Sequence, residues 1–240
     1  MANIRLDDLH RNGYKIYQNT DMFCFGIDAV LLSDFAKANE NEVVLDIGTG
    51  TGVIPILMEA KTEGRYFIGV DIQKESVELA KQSVLYNNLQ DKISIVQGDV
   101  RNLLSLYKPS TFDVITCNPP YMSKESGVKN EFTPKTIARH EVLCTLSEIT
   151  ESAGKLLKPH GRFYMVHRPQ RLVEIFTELR KNKLEPKQIR LVQPYENKEP
   201  NLVLIEAVRG GKPYLKVLPT LIVYDNNGKI TKETYDIYYN

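Results

Sequence analysis

Between residues 43 and 120 short apolar runs and amphipathic stretches alternate, and that alternation leaves the chain few architectures. VVLDIG (43–48) reads as a buried strand running into a glycine-rich turn, and VIPILMEAK (53–61) as the helix behind it. RYFIGVDI (65–72), ISIVQGD (93–99) and FDVITCNPP (112–120) repeat the strand pattern, with the helix SVELAKQSVLYNN (76–88) between the first two of them. Continuously apolar strands separated by helices are what βαβ units require, because helices cover both faces of a parallel sheet. A doubly wound, mostly parallel α/β fold is therefore expected. Downstream the pattern predicts a helix at 142–157, a KPHG turn, a strand at 162–168 and a helix at 170–183. Two β-rich stretches at 189–195 and 201–210 should pair antiparallel at the sheet edge. A DNNG turn between two β-prone runs predicts a small hairpin at the end of the chain.

At 240 residues the chain suits one domain. Its expected parts are an N-terminal segment (1–40), an α/β core (41–210) and a C-terminal β extension (211–240). No apolar run approaches the roughly 20 residues of a membrane span, and MANIRLDDLHRNGYKIYQ lacks the apolar core of an export signal. A cytoplasmic location and no membrane partner are expected. Cys24, Cys117 and Cys144 are scattered without a C-x-x-C pair, which argues against a disulfide framework and against a metal site. Charge is uneven: residues 1–121 carry 11 Lys and Arg against 16 Asp and Glu, a net of −5, whereas residues 122–240 carry 20 against 14, a net of +6. The second half leans toward an anionic partner.

DIGTGTG (46–52) follows a strand and opens a helix, and its glycines admit a ligand close to the backbone. An Asp directly before the glycines would oppose a pyrophosphate, so Asp46 points to a ligand with a cationic group. Asp71 closes the next strand, where α/β nucleotide sites place an acid on ribose hydroxyls, and Asp99 closes the third. Three strands ending in carboxylates suit a ribose, an adenine amino group and a positive charge, the three features of S-adenosyl-L-methionine. From about Val43 to Arg168 the chain resembles the class I S-adenosylmethionine-dependent methyltransferases. The resemblance implies a Rossmann-like seven-stranded sheet with an antiparallel edge. It also implies that Asp46, Gly48, Gly50 and Gly52 line the methionine and ribose part, that Asp71 binds the ribose with Ile72 against the adenine, and that Asp99 and Val100 reach the adenine edge.

TCNPPY (116–121) then falls at the end of the fourth strand. Two prolines cannot continue the ladder, and they hold a stiff turn. Asn118 offers a carbonyl oxygen and Pro119 a backbone carbonyl, a pair of acceptors suited to an NH₂ group. Pro120 stiffens the turn, and Tyr121 presents a flat ring to a planar substrate. The stretch resembles the [NDS]-P-P-[YFW] motif of methyltransferases acting on exocyclic or amide nitrogens, which makes Asn118, Pro119, Pro120 and Tyr121 the expected catalytic group and Asn118 also a cofactor neighbour. Cys117 lies inside the strand, and alternation directs it to the core.

QNTDMFCFGIDAVLLSDFA (18–36) reads as an apolar helical segment. With this segment, NPPY and EPNLVLIEAVRGGKPYLKVLPTLIVYDNNGKIT near the end, the chain resembles bacterial tRNA adenine-N6 methyltransferases that modify position 37 of a valine tRNA. That resemblance implies a tRNA partner rather than DNA, and places the N-terminal segment, with Asp28, over the cofactor. The polar, basic stretch 121–141 is expected to close over an unstacked base, with Lys124, Lys129, Lys135 and Arg139 near phosphates. His140 and His167 are read as structural. The alternatives are N5-glutamine methylation of release factors, guanine-N2 methylation of ribosomal RNA, and an inactive protein that binds the cofactor or RNA. Only about forty residues precede the first core strand, which disfavours the substrate domains that the release-factor and ribosomal enzymes carry.

Overall fold

The computed structural model describes residues 3–22, 24–121 and 144–239. Eight strands form the main sheet: β3 (Val43–Ile47), β4 (Tyr66–Asp71), β5 (Ile93–Gln97), β6 (Phe112–Cys117), β7 (Leu157–His167), β8 (Leu184–Gln193), β9 (Leu202–Arg209) and β10 (Lys216–Ile222). Their order is β10-β8-β9-β7-β6-β3-β4-β5. Strands β7, β6, β3, β4 and β5 are parallel, β9 runs antiparallel between β7 and β8, and β10 lies parallel to β8 at the edge. The parallel core and the antiparallel pair match the expectation, and β10 adds an eighth strand.

Alternation along the central strands sends side chains to two cores. Val44, Phe67, Val114 and Tyr164 face α1 (Ile27–Phe35), α2 (Val53–Lys61) and α3 (Lys74–Tyr86). Leu45, Ile115, Cys117 and Phe163 face α5 (Leu146–Leu156) and α6 (Leu172–Lys181), with the short α4 (Leu103–Leu106) beside them. Cys117, 1% exposed, is a core residue, and burial pushes its thiol well up, away from the reactive thiolate. Strand β6 ends at Cys117, so Asn118 to Tyr121 emerge beyond its carboxyl end.

Three expectations are corrected. The stretch 18–36 is helical only from Ile27, and before it β1 (Ile4–Asp8) and β2 (Lys15–Asn19) form a separate hairpin. That hairpin is fastened to α3, where Tyr17 N–H donates to Ser83 Oγ at 2.9 Å and Asn19 Nδ2 to Glu75 Oε1 at 2.8 Å. The KPHG turn does not precede a strand but bulges within β7: Leu157 faces Phe112 and Arg162 faces Val114, so four residues stand opposite the single Asp113, three more than regular pairing takes, with His160 at φ 63°. The C-terminal hairpin reduces to a single bridge between Tyr224 and Ile230. The run after it is helix α7 (Lys232–Tyr239), because Thr234 and Ile237, three apart, are its buried positions and Thr231 Oγ1 accepts the Thr234 N–H.

Candidate active site

The carboxyl ends of β3, β4, β5 and β6 bring the sequence-derived residues to one edge of the sheet. The glycine loop is held there by backbone. Gly48 and Thr49 N–H both donate to the Val70 carbonyl, at 2.8 and 3.0 Å, and Gly50 N–H donates to Asp71 Oδ2 at 2.8 Å. Gly48 and Gly50 have φ of 71° and 55°, and nothing stands within 4 Å of where a Cβ would project, so the loop turns a bare backbone outward. Gly52 caps α2 at φ 88° with Ala80 of α3 packed behind it.

Asp71 is buried, and its second oxygen accepts Gln73 N–H at 2.8 Å. Ile72 beside it is half-buried. Asp99 is held instead by Arg101, whose backbone N–H donates to Oδ1 at 2.9 Å and whose Nη2 lies 2.5 Å from Oδ2. That guanidinium keeps the Asp99 carboxyl below its ordinary range, and Val100 next to it is buried.

Asp46 is 1% exposed. In register it lies between Gly69 of β4 and Thr116 of β6, and Thr116 Oγ1 donates to its Oδ1 at 2.7 Å. Its Oδ2 is buried without a hydrogen-bond partner among the described residues. Burial raises the carboxyl to about 7, against the Thr116 hydroxyl and the Thr49 hydroxyl, which favours the charged form without closing a full hydrogen bond. Such a group gains from a nearby positive charge. An orphaned buried carboxylate oxygen beside an open glycine backbone fits a ligand that pairs a cation with a sugar, as S-adenosylmethionine does.

At the end of β6 the turn is held by side chains. Tyr121 Oη lies 2.5 Å from Asp28 Oδ2 and 2.8 Å from Asn118 Oδ1. Asp28 is buried in the first turn of α1, and its Oδ1 accepts Ala29 N–H at 2.9 Å. Asp28 is thus brought to the turn that follows β6. Burial, then the Asp28 charge, pushes the Tyr121 phenol far up, so it stays protonated. Pro119 is buried and Pro120 exposed.

Two residues at the end of β7 join this turn that sequence reasoning left out of the chemistry. The ring of His167 meets Tyr121 edge-on with centroids 5.3 Å apart, and the exposed Arg168 guanidinium lies 5.0 Å from the Tyr121 ring centroid. Burial, and next the Arg171 charge, lowers His167 to about 4, so it is neutral at ordinary pH. Only the pairing of β7 with β6 reveals these contacts. The expected RNA contacts Lys124, Lys129, Lys135 and Arg139, together with His140, lie outside the described residues.

Surface grooves elsewhere, one lined by Glu42, Asp113, Lys158 and Arg162 at the amino ends of the strands and one by Arg11, Lys37, Lys61 and Asp236 beside α7, stand apart from these strand ends. Among the described residues no helix is long and apolar enough to cross a membrane, and no three His, Cys, Asp or Glu cluster as metal ligands.

Residues 38–211 match the family described as "Methyltransferase domain". A tRNA1(Val) (adenine(37)-N6)-methyltransferase of Phocaeicola vulgatus is 33% identical over 153 residues, which span 64% of this chain and 63% of that protein. The enzyme of the same name from Porphyromonas gingivalis strain ATCC 33277 is 29% identical over 187 residues, 75% of this chain and 72% of that one. Among solved structures, a predicted O-methyltransferase from Agrobacterium tumefaciens superposes with a TM-score of 0.71 at 18% identity, covering 88% of this chain and 95% of that one, a likeness of fold. With the family model matching most of its length, this chain belongs to the methyltransferase domain family and takes S-adenosylmethionine as its methyl donor.

Proposed function

We propose that this protein methylates the exocyclic N6 of an adenine in tRNA, at position 37 of a valine tRNA. Two things support the reading: the names of the relatives, and the placement of an amide-bearing turn beyond β6 on the edge that carries the glycine loop. The observation that carries it is the braced turn Asn118–Tyr121.

When bound, S-adenosylmethionine supplies an electrophilic methyl group on a sulfonium. Asp71 and the backbone of Gly48 and Gly50 would hold it, Ile72 and Val100 would pack on it, Asp99 would meet its adenine edge, and the Asp46 carboxylate would be opposed by its positive charge. An adenine amino nitrogen is a poor nucleophile because its lone pair is delocalised into the ring. Asn118 Oδ1 and the Pro119 carbonyl would accept its two hydrogens, and these bonds strengthen as the nitrogen becomes tetrahedral and positive. A stiff turn keeps both acceptors aimed, so little reorganisation is needed during the reaction. Tyr121 would take the base on a ring that it shares with the Arg168 guanidinium. No side chain of the turn is asked to remove a proton before transfer, since the product ammonium is acidic enough to lose one to water.

The test is a methyl-transfer assay with labelled S-adenosylmethionine and total tRNA from a strain lacking the gene, followed by nucleoside analysis. Label in N6-methyladenosine is expected. Label in release factor or ribosomal RNA, with tRNA blank, would overturn the substrate while leaving the amine chemistry.

A further inference from the structure

We propose that Asp28 is a positioning residue for methyl transfer: through the Tyr121 phenol it sets which end of the Asn118 amide faces the substrate. The inference rests on the reading of Asn118 as acceptor of the amine. It assigns Asp28, a residue of the N-terminal helix, to the reaction rather than to the cofactor.

Tyr121 Oη stands between two oxygen positions, Asp28 Oδ2 at 2.5 Å and Asn118 Oδ1 at 2.8 Å, yet a phenol has one hydrogen. A carboxylate is the stronger acceptor, and the shorter contact is to Asp28, so the hydrogen points there. The Asn118 atom facing the phenol oxygen must then be a donor. The oxygen and nitrogen of an amide exchange places by a half-turn about the last side-chain bond and are told apart by their partners. The amide NH₂ therefore faces Tyr121, and the carbonyl oxygen turns the other way, toward the position of the substrate amine. With the carboxylate removed, the phenol is free to donate to Asn118 instead. The amide then turns its NH₂ outward, where it opposes the hydrogens of the incoming amine.

The surroundings make Asp28 a fixed reference. It is 8% exposed, its other oxygen is tied to Ala29 N–H, and it lies in the first turn of α1, where the helix end favours negative charge. Gly26 gives it room, since a Cβ there would stand 3.0 Å from Asp28 Oδ1. The chain from carboxylate to phenol to amide also polarises Asn118, making its carbonyl a better acceptor for a nitrogen that gains positive charge.

Asp28→Asn keeps the size and the bond to Ala29, and Tyr121→Phe removes the link itself. Each is expected to lower kcat roughly 10- to 100-fold while the Kd for S-adenosylmethionine stays within about 2-fold. The double variant should be no slower than the slower single one, as for residues acting in one chain. In protein labelled with ¹⁵N-asparagine, the side-chain NH₂ resonances of Asn118, identified by their loss in Asn118→Ala, should shift in both variants without any substrate present. A raised Kd for S-adenosylmethionine with unchanged kcat in Asp28→Asn would make Asp28 a cofactor contact. Additive losses, or unmoved Asn118 resonances, would equally overturn the proposal. Should Asp28→Asn fail to fold, Tyr121→Phe carries the kcat, Kd and resonance readouts alone. A wild-type protein that labels no tRNA would sink the tRNA assignment, and the resonances would still decide the role of Asp28.

Discussion

The two ends of the site are built in opposite ways. Beyond β3 the glycine loop is closed through its own backbone amides, with the Val70 carbonyl taking those of Gly48 and Thr49 and the Asp71 carboxylate that of Gly50, from about twenty residues away. Beyond β6 the turn is closed by side chains, with Tyr121 reaching 93 residues back to Asp28. A backbone-built cradle depends on local conformation and tolerates change in most side chains. A side-chain clamp depends on a few distant partners, so it can be loosened without disturbing the cradle. On the function proposed, binding of the donor and placement of the acceptor should therefore be separable by mutation.

The largest effect should come from Asn118→Ala, which ought to lower methyl transfer by roughly 100-fold or more, as removal of a transition-state hydrogen bond does. Calorimetric affinity for S-adenosylmethionine should barely move. Loss of both together would erase the distinction between the two ends. Asp71→Ala should do the reverse, weakening cofactor binding by about 10-fold or more, because it removes the acceptor of Gly50 and Gln73 amides as well as the expected ribose contact. Unchanged affinity there would show that the loop stands without its carboxylate.

Smaller and opposite in sign are the pH signatures of the two ends. Asp46 is raised to about 7 by burial, so its folded state binds a proton more tightly than the unfolded chain. Its stabilisation is full below about pH 4 and lost as pH rises through about 7, and Asp46→Asn should flatten that slope in the ligand-free protein. His167 is lowered to about 4 by burial and the Arg171 charge, so its contribution is full above about pH 6.5 and lost as pH falls through about 4. Denaturant titrations of His167→Gln across that range should show the weaker acid dependence. A wild-type slope retained in either variant would place the titrating group elsewhere.

Legibility in the sequence followed the same division. The cradle is local: a strand, three glycines and an acid within seven residues can be read without knowing what lies beside them, and α2 runs over 53–61 as its periodicity predicts. The clamp is not local. No spacing links Asp28 to Tyr121, and the approach of His167 and Arg168 follows only from β7 pairing with β6. The misread elements have the same origin. In β2 a buried Gln18 interrupts the apolar alternation that would have marked a strand, and in α7 the tyrosines of KETYDIYY favour a strand locally while burial of Thr234 and Ile237 against the body of the protein selects a helix.

Whether the clamped turn receives an adenine amine is decided by two valine tRNA transcripts, one carrying adenine at position 37 and one carrying uridine there. The predicted result is label as N6-methyladenosine in the first and none in the second. Equal labelling of both, or of neither while glutamine or guanine acceptors are labelled, would contradict it.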